Sequence, residues 1–336
     1  MPRNTKKVRK IISTFAQMTG NMIKIHLATL VAVFTTTVAA AQDVSFHIAK
    51  YKGDKACATS FTFDDGLEEH LSIVAPELEK RGWRGTFWVC GAKVSGEKKT
   101  DDAYLSWDEI RQLSESGHEV SNHGWNHKKL SKLSRERIIE EVQMNDSAIF
   151  VHTGRRPDTF CYPYNSKNET VLEITEKGRV GTRTKQFALG QAVDHEKTVR
   201  RIDDAVRKGD WAVWMTHGIT KGYDSFKEPE RFIRFLDYVK SIEDKVWVAT
   251  FHEVAAYQKE RESVMIGVTQ KGRKYVVTPS LELDACLFDQ NLTLVIEGME
   301  RAPKVRQDGH RLAVYNMEAG KYLVDFNPFG GEIIVK

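Results

Sequence analysis

The chain is poor in cysteine, with four in 336 residues: Cys57, Cys90, Cys161 and Cys286. No two of them are spaced as C-x-x-C, so the ligand pattern of a structural zinc site is missing. Four cysteines allow three disulfide pairings, and their spacing selects none of them. We therefore expect individually packed, buried cysteines rather than a disulfide framework.

Acidic residues are absent from the first 41 positions, which contain six lysines and arginines. Without these six, 44 of the 50 basic residues remain against 46 acidic ones, which gives a net charge of −2. A nearly neutral chain gives no support for a nucleic-acid-binding surface. The sequence also has no internal repeat and no low-complexity tract.

A long apolar run is present only near the start, where residues 22–41 read MIKIHLATLVAVFTTTVAAA. A lysine, an apolar run and three small residues form the pattern of a secretory signal peptide. The run is short and threonine-rich for a bilayer span. We therefore predict cleavage after Ala41, export to a periplasm or the medium, and no stable membrane span afterwards. A start at Met22 is an alternative to the longer leader.

From residue 56 to residue 256, apolar runs alternate with amphipathic helical stretches. ATSFTF, GTFWVC, TFCYPY and AVWMTH are candidate strands, and a clear helix is predicted from Leu133 to His152 with Ser134 as its N-cap. Strands separated by helices indicate parallel β/α units. The fold class is therefore α/β, with enough units for a barrel or a barrel-like sheet.

After Glu262 the sequence changes to short β-rich runs, such as LTLVIEG and KYLVDF, broken by Gly, Pro, Asn or Asp. No helical period accompanies these runs, which favours a small all-β sandwich. We therefore predict a signal peptide at 1–41, an α/β domain at 42–261 and a β-sandwich at 262–336.

Four segments place polar side chains where predicted strands end: FDDG, NHGWNH, FCYPYN and WMTHG. In α/β folds, catalytic groups lie at the carboxyl edge of the sheet. His123 and His127 are four residues apart, so on a helical turn both imidazoles face one side and can share a metal ion. Such a pair alone is common by chance, and a DDG turn alone is compatible with a solvated loop.

The adjacent acids Asp64 and Asp65 can complete the histidine pair. Two imidazoles and one carboxylate form a catalytic ligand set that leaves a position open for water. One aspartate can bind the metal, which offsets the cost of its burial, and the other can take a proton from the water. His217 ends another strand, where its near-neutral pKa suits a general acid. A structural loop histidine explains that segment equally well.

Together these segments resemble the polysaccharide deacetylases, or family-four carbohydrate esterases, which share the NodB homology domain. TFDDG matches the family's first motif, in which the first aspartate is the base and the second a metal ligand. HGWNH is similar to H-[ST]-x-x-H, with Gly124 at the Ser/Thr position, and the preceding GHEVSNH makes His118 structural. FCYPYN resembles the third motif, and MTH the L-x-H motif that supplies the acid. The resemblance spans residues 56–256 and implies a distorted (β/α) barrel.

Two positions depart from the family pattern. Cys161 stands where the family often has an arginine that orients the catalytic aspartate. The family's D-x-x-D-W segment is also missing, and Asp194 is the candidate carboxylate that would tune His217. These departures bear on the acetyl pocket, and so on the substrate more than on the chemistry.

The resemblance implies a hydrolase that removes the acetyl group of an N-acetylated glycan, such as an N-acetylglucosamine polymer, by cleaving a C–N bond. It implies one divalent ion, Zn²⁺ first and Co²⁺, Ni²⁺ or Mn²⁺ as alternatives, bound by Asp65, His123 and His127. Asp64 would be the base and His217 the acid. The residues expected to contact the substrate or the oxyanion are Tyr164, through its backbone N–H, and Met215. The rings of Trp125, Tyr162 and Tyr164 are candidates to pack against a sugar ring, and packing in the core or at the rim explains each of them equally well.

Two alternatives stay open at this point. The first is an O-acetyl esterase on xylan-type polysaccharides, because amide and ester hydrolysis share a tetrahedral oxyanion. The second is a non-catalytic glycan-binding protein that kept the fold; Cys161 and the missing D-x-x-D-W segment favour it, whereas the intact acid, base and metal set opposes it. For residues 262–336, a lid or spacer against the barrel is a simpler interpretation than a sugar-binding module.

Overall fold

The computed structural model describes residues 43–94, 104–191 and 193–336. The predicted signal peptide at 1–41 lies outside these ranges, so its cleavage and the export of the chain stay predictions. Within the described ranges, no helix combines the length and apolar character that crossing a membrane requires. The described residues form two β regions, one parallel and one antiparallel. The first described strand, β1 (Ser45–Ile48), belongs to the antiparallel region.

The first β region is an eight-stranded parallel sheet. Its strands are β2 (Cys57–Asp65), β3 (Thr86–Val89), β4 (Glu119–Asn122), β5 (Thr159–Cys161), β6 (Gly181–Arg183), β7 (Phe187–Ala188), β8 (Trp211–Thr216) and β9 (Val246–Val248). Across the sheet the order is β6-β5-β4-β3-β2-β8-β7, and β9 pairs with the start of β2. Within the described strands, no backbone hydrogen bonds pair β6 with β7, so the curled sheet stays open and does not close into a complete barrel. The predicted distorted (β/α) barrel is confirmed.

The central strand β2 is covered on both faces. Eight of its nine residues, from Cys57 to Asp64, are buried, as is usual inside a parallel sheet. Phe63 stacks on Phe87 of β3 with ring centroids 5.3 Å apart, and it meets Phe232 edge-on at 6.1 Å. This packing fixes the strand whose carboxyl end carries the two aspartates.

Helices follow most strands and shield the sheet. Those of the described residues are α1 (Ala75–Glu79), α2 (Trp107–Glu115), α3 (Arg135–Thr153), α4 (Glu169–Glu176), α5 (His195–Lys208), α6 (Pro229–Ser241) and α7 (Phe251–Ser263). Ser134 accepts a hydrogen bond from the backbone N–H of Arg137, so the predicted N-cap of α3 is confirmed. A π-helical turn at His70–Val74 precedes α1 and leads directly into it.

Two antiparallel sheets, of four and five strands, form the second β region. Its further strands are β10 (Met265–Lys271), β11 (Lys274–Ser280), β12 (Leu292–Glu297), β13 (Val305–Gln307), β14 (His310–Arg311), β15 (Tyr315–Glu318), β16 (Lys321–Phe326) and β17 (Ile333–Val335). The sheets have the orders β1-β12-β16-β15 and β10-β11-β17-β13-β14. Side chains from both sheets, including Leu294 and Ile333, share one apolar core, which is the arrangement of a sandwich.

Strand β1 joins this sandwich, although it lies at the other end of the described chain. It pairs antiparallel with β12, so that His47 lies opposite Val295. The Tyr257 hydroxyl of α7 donates a hydrogen bond to the Ala49 carbonyl at 3.0 Å. The predicted domain boundary between residues 261 and 262 remains a prediction. The sequence did not indicate that the strand at residues 45–48 would join the sandwich.

The cysteines follow the sequence expectation at three positions. Cys57, Cys90 and Cys161 are buried and unpaired. Cys286 is exposed, so the expectation of burial is wrong there. It lies in the segment between β11 and β12, which runs over the surface.

Glu260 of α7 is a buried acid at the contact between this helix and the segment before β12. Its Oε1 accepts a hydrogen bond from the Gln290 backbone N–H at 2.9 Å, and its buried Oε2 has no partner among the described residues. Burial raises the pKa of Glu260 to about 7. A carboxyl group with a raised pKa stabilises the fold fully below its unfolded-state pKa, and this stabilisation is lost as pH rises through the folded-state value.

We predict that Glu260→Gln removes part of this pH dependence. At pH 8 the variant should be more stable than the wild type by about 2 kcal/mol, because no charge is then buried. At pH 5 the free energies of unfolding should be nearly equal. Urea denaturation at both pH values measures them, with exposed Glu262→Gln as the matched control. An equal offset at pH 5 and pH 8 would contradict the assignment.

Candidate active site

A cavity of about 580 Å³ opens at the carboxyl end of the parallel sheet. It receives side chains from all four predicted segments, as expected when strand ends converge. Its lining residues are Asp64, Asp65, Lys93, His123, His127, Tyr162, Tyr164, Asn165, Arg183, Gln186, Met215, His217 and Tyr223. The sequence-predicted residues Trp125 and Asp194 do not line it.

Three side chains form a group suited to one metal ion. Asp65 Oδ1 lies 3.2 Å from His127 Nε2 and 3.7 Å from His123 Nε2. Ligand atoms bound at about 2.1 Å to one ion lie roughly 3–4 Å apart, so these separations fit a shared ion. The same carboxylate oxygen is buried and accepts no hydrogen bond of regular geometry from the described residues. A buried carboxylate oxygen that faces two imidazoles, and has the Lys93 ammonium 3.2 Å away, lies in a place that suits a cation.

Both imidazoles have the protonation state that metal binding requires. Burial lowers the pKa of His123, and burial together with His123 lowers that of His127 to about 4. His123 Nδ1 is 2.9 Å from the Cys161 carbonyl oxygen, so Nδ1–H donates there and Nε2 is left with a lone pair toward Asp65. The neutral rings therefore present nitrogen ligands, as a divalent ion needs.

Cys90 lies beside the three candidate ligands, and the sequence did not indicate that it belongs to this site. Its Sγ belongs to a group with Asp65, His123 and His127 whose ligand atoms all lie within 4.8 Å of one another. The thiol donates a hydrogen bond to the His123 carbonyl at 3.3 Å, and burial raises its pKa well above the usual range. Cys90 thus supports the His123 backbone as a neutral thiol, and the two imidazoles and the carboxylate remain the better ligand set.

Asp64 forms a buried, two-pronged ion pair with Arg183. Arg183 Nη1 donates to Asp64 Oδ1 at 2.7 Å, and Nη2 donates to Oδ2 at 2.5 Å. Side-chain exposure is 6% for Asp64 and 2% for Arg183. Burial raises the pKa of Asp64, but the Arg183 guanidinium and, to a lesser degree, His123 lower it by more than burial raises it. The pKa therefore lies well below its usual range. Asp64 is therefore held ionised and in one orientation beside the ligand set.

Arg183 is the functional residue that sequence reasoning missed. It ends β6, the strand next to β5, whereas the arginine expected from the family motif would stand at Cys161 on β5. Cys161 Sγ lies 3.9 Å from Asp64 Oδ2, so the small side chain leaves the space that Arg183 fills. Arg183 Nη1 also donates to Thr62 Oγ1 at 2.6 Å. The sequence signal that points to Arg183 is its place near the end of the short β-like run RVGTRT at residues 179–184.

His217 follows β8 and lines the same cavity as the ligand set. Its ring meets Tyr223 edge-on with centroids 5.3 Å apart. The buried Nδ1 has no hydrogen-bond partner among the described residues. Asp194 instead accepts a hydrogen bond from the Lys197 backbone N–H at 2.6 Å and caps α5. The structure therefore does not bring Asp194 to His217.

The loop that carries His217 is held by the residues just after the two aspartates. His70 Nε2–H donates to the His217 carbonyl at 2.7 Å, and burial lowers the pKa of His70 to about 4. Glu69 accepts hydrogen bonds from the backbone N–H groups of Ile219 at 2.8 Å and Thr220 at 3.0 Å. The strand end that supplies the acids thus also positions the histidine loop.

Helix α3 holds the loop that carries His123 and His127 in place. Asn145 Nδ2 donates to Asn122 Oδ1 at 2.8 Å, and the same oxygen accepts from the Gly124 N–H at 2.7 Å. Glu141 accepts from the Asn126 N–H at 2.7 Å. Trp125 packs on Gly91, where an added Cβ would lie 2.1 Å from the indole ring. Trp125 is therefore part of the support of the loop and not of the cavity wall.

Two tyrosines of the FCYPYN segment line the cavity, one with a buried side chain and one with an exposed side chain. Tyr162 is 1% exposed, and its hydroxyl is 3.0 Å from Thr175 Oγ1, so most of the ring belongs to the core. Tyr164 is 62% exposed and has a left-handed backbone with φ of 56°. Its ring lies over His127 with centroids 4.6 Å apart. Tyr164 thus presents an open aromatic face at the cavity mouth.

His118 is structural, as the sequence predicts. Its Nδ1 accepts a hydrogen bond from the Gly85 N–H at 3.0 Å, and Nε2 lies 3.1 Å from a Glu79 oxygen. The ring is buried at the start of β4, away from the cavity lining. It connects β4 to α1 and to the turn before β3.

Comparison with known proteins places this site in a family. Residues 52–182 match the model of the polysaccharide deacetylases. The chain is similar to the peptidoglycan-N-acetylglucosamine deacetylase PgdA of Listeria monocytogenes, with 29% identity over 128 residues, 38% of this chain and 25% of that protein. Chitin deacetylase 1 of Cryptococcus neoformans var. grubii is 30% identical over 114 residues, 34% of this chain and 22% of that protein.

The matched segment spans about a quarter of the length of these two relatives. A solved structure of a family 4 acetyl xylan esterase from Clostridium thermocellum, in complex with a cobalt ion, is 21% identical with a TM-score of 0.44, covering 59% of this chain and 89% of that one. The segment 52–182 contains both aspartates, both histidines and the third motif. Residues 52–182 therefore belong to the polysaccharide deacetylase family.

Proposed function

We propose that this chain is a metal-dependent deacetylase that hydrolyses the N-acetyl group of a carbohydrate. The observation that carries the proposal is Asp64, which Arg183 holds ionised beside the ligand group of Asp65, His123 and His127. A base next to a metal group, with a histidine across the same cavity, is the set that acyl hydrolysis without a covalent enzyme intermediate requires.

The ion would be held by Asp65, His123 and His127, and Zn²⁺ is the first candidate because the set contains two imidazoles and one carboxylate. When bound, a divalent ion supplies Lewis acidity toward the acetyl carbonyl and lowers the pKa of water. The hydrogen bond from His123 Nδ1 to the Cys161 carbonyl fixes the orientation of that ring. Such a contact keeps the ligand nitrogen aimed at one point.

Asp64 is the proposed general base. It must be ionised to accept the proton of the attacking water, and the lowered pKa keeps it ionised at neutral pH. The two hydrogen bonds from Arg183 prevent rotation of the carboxylate, so its position relative to the ligand group is fixed. Positioning of this kind lowers the entropic part of the barrier.

His217 is the proposed general acid, which protonates the departing amine. His217 lines the same cavity as Asp64 but follows a different strand, so two separate groups are present for proton uptake and proton delivery. The hydrogen bond from His70 to the His217 carbonyl holds this loop without using the imidazole, so both ring nitrogens stay available for proton transfer. The backbone N–H of Tyr164 is the proposed oxyanion donor, by resemblance to the family.

The substrate class comes from the relatives. PgdA is named for N-acetylglucosamine in peptidoglycan and the Cryptococcus relative for chitin, and both names support an N-acetylated glycan here. The exposed ring of Tyr164 offers a face on which a sugar can pack. Arg183 also weakens the alternative of a non-catalytic glycan-binding protein, because a guanidinium contacts the catalytic aspartate after all.

We further propose that the mature protein works outside the cytoplasm, on the basis of the leader at residues 22–41. The sandwich is proposed as a spacer against the barrel, since β1 and α7 tie it there through the bond from Tyr257 to the Ala49 carbonyl. Cell fractionation with an epitope tag at the C-terminus tests the location, and a signal confined to the cytosol would refute it.

We predict that Asp64→Asn abolishes turnover without loss of metal. The amide has the size of the carboxylate but accepts no proton, so acetate release should fall by about 10²- to 10⁴-fold. Elemental analysis should find the same divalent ion content as in the wild type, because Asp64 is not a ligand. Acetate release from N-acetylglucosamine oligomers is the assay, and exposed Asp244→Asn is the control. Wild type without bound metal would refute the proposal.

We predict that exchanging the residues at positions 161 and 183 restores part of the activity that Arg183→Cys loses. Arg183→Cys leaves a buried, unpaired carboxylate and should cost about 3–5 kcal/mol in stability and about 10²-fold in kcat. Adding Cys161→Arg returns a guanidinium from β5 and should recover about tenfold in kcat, without a change in KM. Urea denaturation shows which variants are folded. Equal kcat in folded single and double variants would contradict the positioning role.

A further inference from the structure

Three lysines surround one edge of the active-site cavity. Lys93 ends the turn after β3, and Lys128 and Lys129 directly follow His127. Together with Asn126, His127 and Tyr164 they line a depression of about 420 Å³, which we call the lysine cleft. Lys93, His127 and Tyr164 also line the active-site cavity, so the two spaces adjoin each other.

Within the described ranges, two of the three lysines of this cleft form no ion pair. Lys128 and Lys129 are exposed, and neither has a carboxylate oxygen within 4.0 Å among the residues that the structure describes. The chain after residue 41 has more acidic than basic residues, so its composition alone does not produce a basic surface. A local excess of one sign in a concave site attracts ligands of the opposite sign.

Lys93 adds to this excess when the metal group is occupied. Its ammonium lies 3.2 Å from Asp65 Oδ1, the same oxygen that faces both imidazoles. A divalent ion on that oxygen would repel the ammonium and take over its partner. Lys93 is only 25% exposed, so its displaced charge favours a new anionic partner inside the cleft rather than full hydration.

An aromatic surface lies within the same cleft. Lys129 Nζ is 5.3 Å from the centroid of the Tyr164 ring, which is itself open to solvent. Proteins bind sugars by packing an apolar ring face on an aromatic side chain and by placing polar groups around it. Tyr164 and the lysines therefore offer a sugar face and an anion site one beside the other.

We infer that the lysine cleft binds an acidic sugar of the substrate, through a carboxylate or a sulfate ester, next to the sugar that carries the acetyl group. This inference rests on the proposed function, because it concerns the glycan bound in the same cavity. The acidic group pairs with Lys128 and Lys129 at the mouth and with Lys93 deeper in. The substrate class is thus an acetylated acidic glycan rather than a neutral one.

Binding of non-acetylated probes by the metal-loaded wild type tests this inference apart from turnover. Isothermal titration calorimetry at low and at high salt compares three oligosaccharides of equal length: an oligogalacturonate, a sulfated oligoglucose and a neutral xylo-oligosaccharide. We expect the acidic probes to bind about five- to tenfold more tightly than the neutral one at low salt, and the advantage to shrink at high salt. The stronger acidic probe tells carboxylate from sulfate.

The matched variants are the double substitutions Lys128→Gln with Lys129→Gln and Lys271→Gln with Lys304→Gln. Both remove two charges, but the second pair lies on the sandwich. Only the first should remove the preference for acidic probes, by about five- to tenfold. Equal binding of acidic and neutral probes, or equal effects of the two double variants, would overturn the inference.

Acetate release separates this result from the fate of the proposed function. Wild type and the cleft variant are assayed on neutral N-acetylglucosamine oligomers and on hyaluronan oligosaccharides, in which each N-acetylglucosamine adjoins a glucuronate. Release from the neutral oligomers with no preference for acidic probes would refute the cleft and keep the deacetylase. A binding preference with no acetate release from either substrate would refute the deacetylase and keep the cleft as a glycan site.

Discussion

The ion pair between Asp64 and Arg183 is the contact on which the rest of the site depends. Two adjacent carboxylates at the end of a buried strand repel each other and are costly to desolvate. Arg183 neutralises the first through two hydrogen bonds, and the second faces two imidazoles that suit a cation. Removing one member of such a buried pair typically costs about 3–5 kcal/mol, because the other charge is left unpaired. The strand can therefore end in two acids only because β6 and the histidine loop supply their partners.

This constraint also explains the choice of a small residue at Cys161. The guanidinium of Arg183 must cross from β6, past β5, to reach β2, and a long side chain at position 161 would occupy its path. The family often places the arginine on β5 itself. Parallel strands present their ends at one edge of the sheet, so a neighbouring strand can deliver the same group to the same point. The chemistry of the position is kept while its place in the sequence changes.

The sequence predicted the parts of the site that reside in local motifs. Asp65, His123 and His127 face one another because their motifs lie at the ends of β2 and β4, although an irregular loop carries the two histidines instead of the expected helical turn. The alternation of strands and helices predicted the curled sheet. Arg183 was missed because its partner lies 119 residues away, and nothing in a single sequence joins two such positions. Asp194 was offered for His217 by its place between motifs, yet its carboxylate caps α5 and cannot serve both purposes.

The charges around the cavity balance before any ion is bound. Asp64 and Asp65 supply two negative charges, and Arg183 and Lys93 supply two positive ones. A divalent ion then leaves an excess of two positive charges in a largely enclosed space, where fields are screened less than in water. That excess favours the negative charge that develops on a carbonyl oxygen during hydrolysis. It equally favours an anion that is already present on the substrate, so the field that would assist the reaction would also select the glycan.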